Sequence, residues 1–226
     1  MVQTMNIAIL LPTIYRKDGL HRTLTSLFHT TKDYELTVVV AHEWDDDDAV
    51  KVCSLYNGKV IRAICEKNKQ GPAYAWNTAL AAAQYHDAYF LASDDIEFTL
   101  CWLDEVIKTY NVANKGLIGV NDGTGKYERA GFCTHYFMTR KFIRDVNGGV
   151  VCCPHYYADF TDVEVIDRAK KVNQFAYADK ARIFHHWREV DDEAYRRGDE
   201  RRTEARGIYL RRKEKGFIND WEPIIK

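Results

Sequence analysis

A chain of 226 residues with 32 basic and 33 acidic side chains has no overall charge that would draw it onto nucleic acid or an anionic membrane, so any such binding must come from a local patch. Its 46% hydrophobic content suits one well-buried core with at most a small appendage, and no apolar run approaches the roughly 20 residues that span a bilayer. The opening residues are too few and too polar for a secretory signal, and six cysteines without a CxxC pair read as reduced core thiols, so a cytosolic setting is expected.

Residues 6–11 are a continuous apolar run ended by Pro12. A polar turn through Thr13, Tyr15 and Arg16 then leads to Leu20, Leu24, Leu27 and Phe28 at helical spacing. Residues 36–41 repeat the theme as a β-branched run that ends in His42, Glu43, Trp44 and the four aspartates 45–48. A short strand is predicted over 59–64, and Pro72 opens a helix over 73–84 that is rich in strong helix formers. Strands alternating with helices imply a mostly parallel sheet covered on both faces, with ligands bound where the strands' carboxyl ends open.

The fourth apolar run, residues 89–92, stops at Ser93, Asp94 and Asp95. Adjacent carboxylates at a strand's exit repel one another unless a cation or a donor sits between them, which suggests a divalent metal with oxygen ligands. A helix cap before a helix over 100–110 is the competing reading. Further on, the pattern predicts a strand over 116–120, a Gly-rich loop over 121–126, a strand over 132–139 and a short helix over 140–146 stopped by Asn147, Gly148 and Gly149. A helix over 163–171 follows, then strands over 174–178 and 181–184 that end at His185, His186 and Trp187. From 189 to about 215 the chain is strongly charged and helical in pattern, with Asp192 and Glu193 four residues ahead of Arg196 and Arg197. The expected organisation is one domain over 1–188 with a helical extension over 189–226 packed on it.

The order of these loops resembles the nucleotide-sugar glycosyltransferases of the GT-A fold, family 2-like, over roughly residues 6–187. Pro12, Thr13, Tyr15 and Arg16 look like the family's first nucleotide-contacting loop, and the acids near Asp45 look like its second. Asn68, Gly71, Pro72, Ala73, Ala75 and Asn77 are similar to the segment that opens the third helix. Residues 91–95 resemble the metal-binding DxD element, with Ala92 standing where the fuller motif has its first aspartate. Residues 161–168 look like the acidic segment that carries the catalytic base, and residues 181–185 like the strand that delivers a metal-ligating histidine.

The resemblance implies an α/β, Rossmann-like sheet and a sugar nucleotide bound by Pro12, Thr13, Tyr15, Arg16, Asp45, Asn68, Gly71, Asn77, Ser93, Asp94 and Asp95. It also implies Mn²⁺ or Mg²⁺ held by Asp94 and His185, with His186 as the alternative ligand because strand alternation sends the two to opposite faces. Asp162, or Asp159 three residues earlier, is the expected base that readies an acceptor hydroxyl for inverting transfer, with UDP the favoured nucleotide. Asp122 and His135 are noted near the donor and acceptor, and Trp44 and Trp187 as sugar-stacking walls. Each has a bland counterpart as turn, core histidine or buried aromatic. Cys152, Cys153 and His155 lack the ligand spacing of a zinc site. Residues 12–19 lack the Gly-rich Arg- and Lys-bearing loop of a pyrophosphorylase. A non-catalytic nucleotide-sugar or polyanion-binding module and a sugar transferase acting on nucleic acid are the competing readings, the latter suggested by the basic stripe over 196–215. The acceptor itself is expected to be a hydroxyl of unknown origin.

Overall fold

The computed structural model describes residues 5–56, 58–69, 71–186 and 193–226. The strands are β1 (Ile7–Pro12), β2 (Leu36–His42), β3 (Val60–Ile64), β4 (Ala88–Leu91), β5 (Ile96–Phe98), β6 (Leu117–Asn121), β7 (Tyr136–Thr139) and β8 (Phe175–His185). They form one sheet in the order β3-β2-β1-β4-β7-β6-β8-β5. β1 pairs in parallel with β2 and β4, β2 with β3 and β6 with β8, while β7 runs antiparallel between β4 and β6.

The apolar runs are continuous because the sheet is covered on both faces. Ile7, Ile9 and Leu11 of β1 enter a core with α1 (Lys17–Thr30), α2 (Asp47–Ser54) and α4 (Trp102–Ala113). Ala8 and Leu10 enter the opposite core with α3 (Pro72–Ala82), α6 (Arg140–Asp145) and α7 (Thr161–Lys171). Every residue of β1 and β4 is therefore buried, and alternation along the strand serves two cores at once.

Three expectations are corrected. The aspartates at 94 and 95 are followed by β5, and α4 begins at Trp102 with Cys101 as N-cap in the left-handed region and no side-chain cap. The strand expected over 132–139 starts only at Tyr136. The two strands expected over 174–184 are one long strand, β8, whose first part pairs with β6 and whose last part pairs antiparallel with β5. A register shift between Val120 and Asn121 lets the exposed Asp179 and Lys180 pass without ending the strand. The loop at 121–126 also contains an unforeseen short helix, α5 (Lys126–Ala130), at its end.

After β8 comes α8 (Glu193–Glu214), and Tyr209, Ala205 and Phe217 pack on Cys153 and Tyr156 in a third apolar cluster. Several basic groups of this helix are engaged by acids of the domain: Arg202 with Asp159, Arg212 with Glu164 and Lys213 with Asp167. The boundary expected at 188, Trp187 and Asp192 lie outside the described residues, as does the side chain of Glu193. No described helix is long and apolar enough to cross a membrane.

Candidate active site

The carboxyl ends of β1, β2 and β4 open on the same edge because these strands are parallel and in register, Pro12 beside Ala41 and Leu10 beside Leu91. The chain leaving β1 therefore meets the chain leaving β4. Thr13 Oγ1 donates to Asp94 Oδ2 at 2.8 Å, and Arg16 Nη1 donates to Asp94 Oδ1 at 3.0 Å while lying 3.6 Å from Asp95 Oδ2. α1 comes so close that a Cβ on Gly19 would stand 2.4 Å from the Asp94 carbonyl oxygen. Burial holds the Asp94 carboxyl above its usual range; Arg16 opposes that shift and the Asp95 charge adds to it.

Asp95 faces a different set of groups. Ser93 Oγ donates to Asp95 Oδ1 and lies 2.9 Å from His135 Nε2, while the Tyr195 hydroxyl of α8 donates to Asp95 Oδ2. His185 Nε2 is 3.5 Å from Asp95 Oδ1, and its Nδ1 is 3.8 Å from Asp122 Oδ2. Asp122 also accepts from Thr124 and Thr134 and lies 3.9 Å from His135 Nδ1. Burial favours neutral forms throughout, yet Asp122 and Asp95 outweigh it at His185 and raise that imidazole to about 9. Asp95 is correspondingly held well below the carboxylate range, because His185, Ser93 and Tyr195 outweigh its desolvation.

One potential ligand atom from each of Asp95, His135 and His185 lies within 4.8 Å of the others. His185 Nδ1 is buried without a hydrogen bond. One carboxylate and two imidazoles are a donor set that fits a divalent transition ion, with Asp122 on the Nδ1 side of both rings as the carboxylate that orients them. The expected pairing of His185 was with Asp94. In the structure His185 meets Asp95 instead, because Asp94 gives its two oxygens to Thr13 and Arg16. Of the two adjacent histidines, His185 turns to this cluster and His186 turns outward, 3.3 Å from Glu97.

Asp162 lies in the first turn of α7 and shares a cavity with Arg16, Asp94, Asp95 and His185. Burial lifts its carboxyl to about 6, against the pull of Lys126 and with the help of Asp159. Asp159 lines the same cavity and is paired with Arg202 at 3.3 Å. Pro12, Thr13, Gly71 and Ser93 also reach the wall. Gly71 has φ 104°, and a Cβ there would stand 2.6 Å from the Tyr157 ring, so glycine is required both for the backbone and for the close approach.

Four residues of the expected set lie off that wall. Tyr15 and Asp45 bond to each other on the surface at 2.6 Å, Asn68 is exposed in a loop, and Asn77 is buried holding the main chain of Val151 and Cys152. Asp46 caps α2 through the Ala49 amide and ties down the Tyr15 amide, and Trp44 is exposed beneath Lys67, away from the cavity. Glu43, Trp76, Lys126, Thr134, Tyr195 and Arg202 join the wall without having been singled out. Glu43 is one residue past β2 and was legible as an acid at a strand exit; Tyr195 and Arg202 carried no local signal.

Residues 8–158 match the family model described as Glycosyl transferase family 2. The poly(ribitol-phosphate) beta-N-acetylglucosaminyltransferase TarP of Staphylococcus aureus (strain N315) is 30% identical over 93 residues, 40% of this chain and 28% of that protein. Among solved structures, S. aureus TarS 1–349 in complex with UDP-GlcNAc superposes with TM-score 0.67 at 16% identity, over 83% of this chain and 60% of that one. The mannosyltransferase PcManGT from Pyrobaculum calidifontis, in complex with GDP-Man and Mn²⁺, superposes with TM-score 0.71 at 13% identity, over 93% and 65%. The chain thus spans less than two thirds of each of these proteins. The fold is that of the GT-A enzymes, and the family match runs from β1 past the exits of β2 and β4, including Asp94 and Asp95, and stops before α7 and β8. By the match of residues 8–158 to the family model, the chain belongs to glycosyl transferase family 2.

Proposed function

We propose that the protein is an inverting, metal-dependent transferase that moves a sugar from a nucleoside-diphosphate sugar, UDP favoured, to an acceptor hydroxyl. The observation that carries this reading is the shared cavity, in which Asp162, its pKa raised to about 6, accompanies the Arg16, Asp94, Asp95 and His185 cluster. Mn²⁺ suits the donor set better than Mg²⁺, since Asp95 would be joined by His135 and His185. When bound, such an ion supplies Lewis-acid stabilisation for the leaving diphosphate. Arg16 adds a fixed positive charge on the same wall, so charge growing on a leaving phosphate meets a preorganised partner.

Asp162 takes the acceptor proton. A carboxyl titrating near 6 is ionised at neutral pH and still basic enough to accept a proton in the transition state. Asp159 is paired with Arg202, which leaves one carboxylate in the role of base and favours direct displacement with inversion. Among the similar proteins, TarS is seen with UDP-GlcNAc and PcManGT with GDP-Man; the sequence likeness to TarP, an N-acetylglucosaminyltransferase, favours the GlcNAc nucleotide of the TarS complex and so UDP. Six unpaired cysteines, five of them buried, fit a reducing, cytosolic setting.

The test is a thermal-shift and calorimetric titration with UDP and GDP, each with and without Mn²⁺. UDP at a hundred times its Kd stabilises the fold by about 2.7 kcal/mol if the reading holds. No response to either nucleotide with metal would refute it. Product NMR with a responsive acceptor decides inversion, since retention of the anomeric configuration would remove Asp162 from the role of base.

A further inference from the structure

α8 presents one face to the cavity. Tyr195, Gly198, Asp199 and Arg202 recur at i, i+3, i+4 and i+7, and all four line it. The two ends of that stripe are anchored to opposite halves of the proposed chemistry. Tyr195 donates to Asp95 and carries the Arg16 guanidinium 4.8 Å from its ring centroid, at the end where the diphosphate would sit. Arg202 lies 3.3 Å from Asp159, three residues before Asp162, at the end where the acceptor would be readied. With a rise of about 1.5 Å per residue, Gly198 stands about 4.5 Å along the axis from the first anchor and about 6 Å from the second. In the proposed reaction the bond that breaks lies between those same two ends.

Glycine inside a helix is less stable than any residue but proline, so its presence there calls for a reason. Packing supplies none at this position: among the described residues, a Cβ on Gly198 would meet no atom within 4 Å. Gly198 lines the cavity, and the space beside it is open. Gly207 is the contrast within the same helix, because it does not line the cavity and a Cβ there would meet just the mobile end of Arg211 at 3.3 Å.

On the functional reading above, we propose that Gly198 is a specificity-determining position for the donor. Its missing side chain leaves the room occupied by the hexose ring of a nucleoside-diphosphate sugar, and α8 thereby gauges the sugar while the β1, β2 and β4 exits hold the nucleotide. Residues 8–158, which carry the family match, do not include this helix, so the gauge is a feature of the chain beyond the matched segment.

The full chain is titrated calorimetrically in Mn²⁺ with UDP, UDP-GlcNAc, UDP-Glc and GDP-Man, as wild type and as Gly198→Ala, Gly198→Leu and Gly207→Ala. Gly198→Leu should keep UDP affinity within about twofold and weaken the preferred sugar nucleotide at least tenfold. Gly198→Ala and Gly207→Ala should both raise Tm, and of these two Gly198→Ala alone should weaken the sugar nucleotide. A merely structural glycine would move stability and binding together, whereas here they move in opposite directions. The proposal is overturned if Gly198→Leu binds sugar nucleotides as the wild type does, or if it loses UDP and sugar nucleotide equally. A wild-type chain that binds UDP but shows the same loss in Gly207→Ala also overturns it. A wild-type chain that binds no nucleoside diphosphate refutes the functional reading itself.

Discussion

Asp162 keeps its proton to about pH 6 because burial outweighs the attraction of Lys126 and the nearby Asp159 adds to the effect. A base works only when ionised, so transfer should fall about tenfold per pH unit below about 6 and level off above it. Asp162→Asn should lower turnover by about 10² to 10⁴, remove that limb and leave UDP affinity unchanged; a flat profile between pH 5 and 7 in the wild type would deny Asp162 the role. Asp122 is the second residue that matters at this scale. Its carboxylate faces both imidazoles and is held in place by Thr124 and Thr134. Asp122→Asn keeps the shape but removes the charge that fixes the two rings, so Mn²⁺ affinity read by EPR should weaken about 10- to 100-fold. Equal affinity would reduce Asp122 to a loop brace. At this scale the sequence was most informative where an acid follows an apolar run, as at Asp94 and Asp95. It marked His135 as a core or acceptor-site histidine but gave no sign that it joins Asp95 and His185, which it reaches from 42 positions beyond Ser93.

Two elements are held in register by single residues. α1 rests on the Asp94 main chain through Gly19, where a Cβ would stand 2.4 Å from a carbonyl oxygen. Because the obstructing atom is backbone, Gly19→Ala should displace either the helix or Asp94, at a cost of about 1 to 3 kcal/mol in urea unfolding, and weaken UDP binding with it. α7 and α8 are joined by Glu164, which is 1% exposed and accepts from the Tyr156 hydroxyl at 2.7 Å, from Arg168 at 2.8 Å and from Arg212 at 3.0 Å. Those donors outweigh desolvation and hold the carboxyl below its ordinary value. Arg212→Ala should cost about 3 kcal/mol, the low end for a broken buried pair because Arg168 remains. A loss under about 0.5 kcal/mol would mean that the apolar contacts of Tyr209 and Phe217 hold α8 without it. Two of the departures share a cause: β5 has three residues, and β8 carries exposed positions between its pairings with β6 and β5, so neither makes the continuous apolar run that marks β1, β2 and β4.

For the molecule as a whole, the consequence is that α8 belongs to the site as well as to the surface: it closes one wall and buries Cys153 and Tyr156 beneath it. A chain ending at residue 186 should therefore lose cooperative unfolding and bind an apolar dye, where a dispensable extension would leave the unfolding transition unchanged. The linear sequence determined the two-faced sheet, the edge at which the strand-exit loops gather and the acids at the exit of β4, since burial on both faces and chain polarity leave a local trace in the order of residues. The tertiary structure alone decided that His185 meets Asp95 and not Asp94, that Tyr195 and Arg202 reach the cavity, and that Asn77 braces a loop. Those outcomes depend on strand order, register and helix docking, which sum weak contacts over the entire chain and so are written in no single stretch of it.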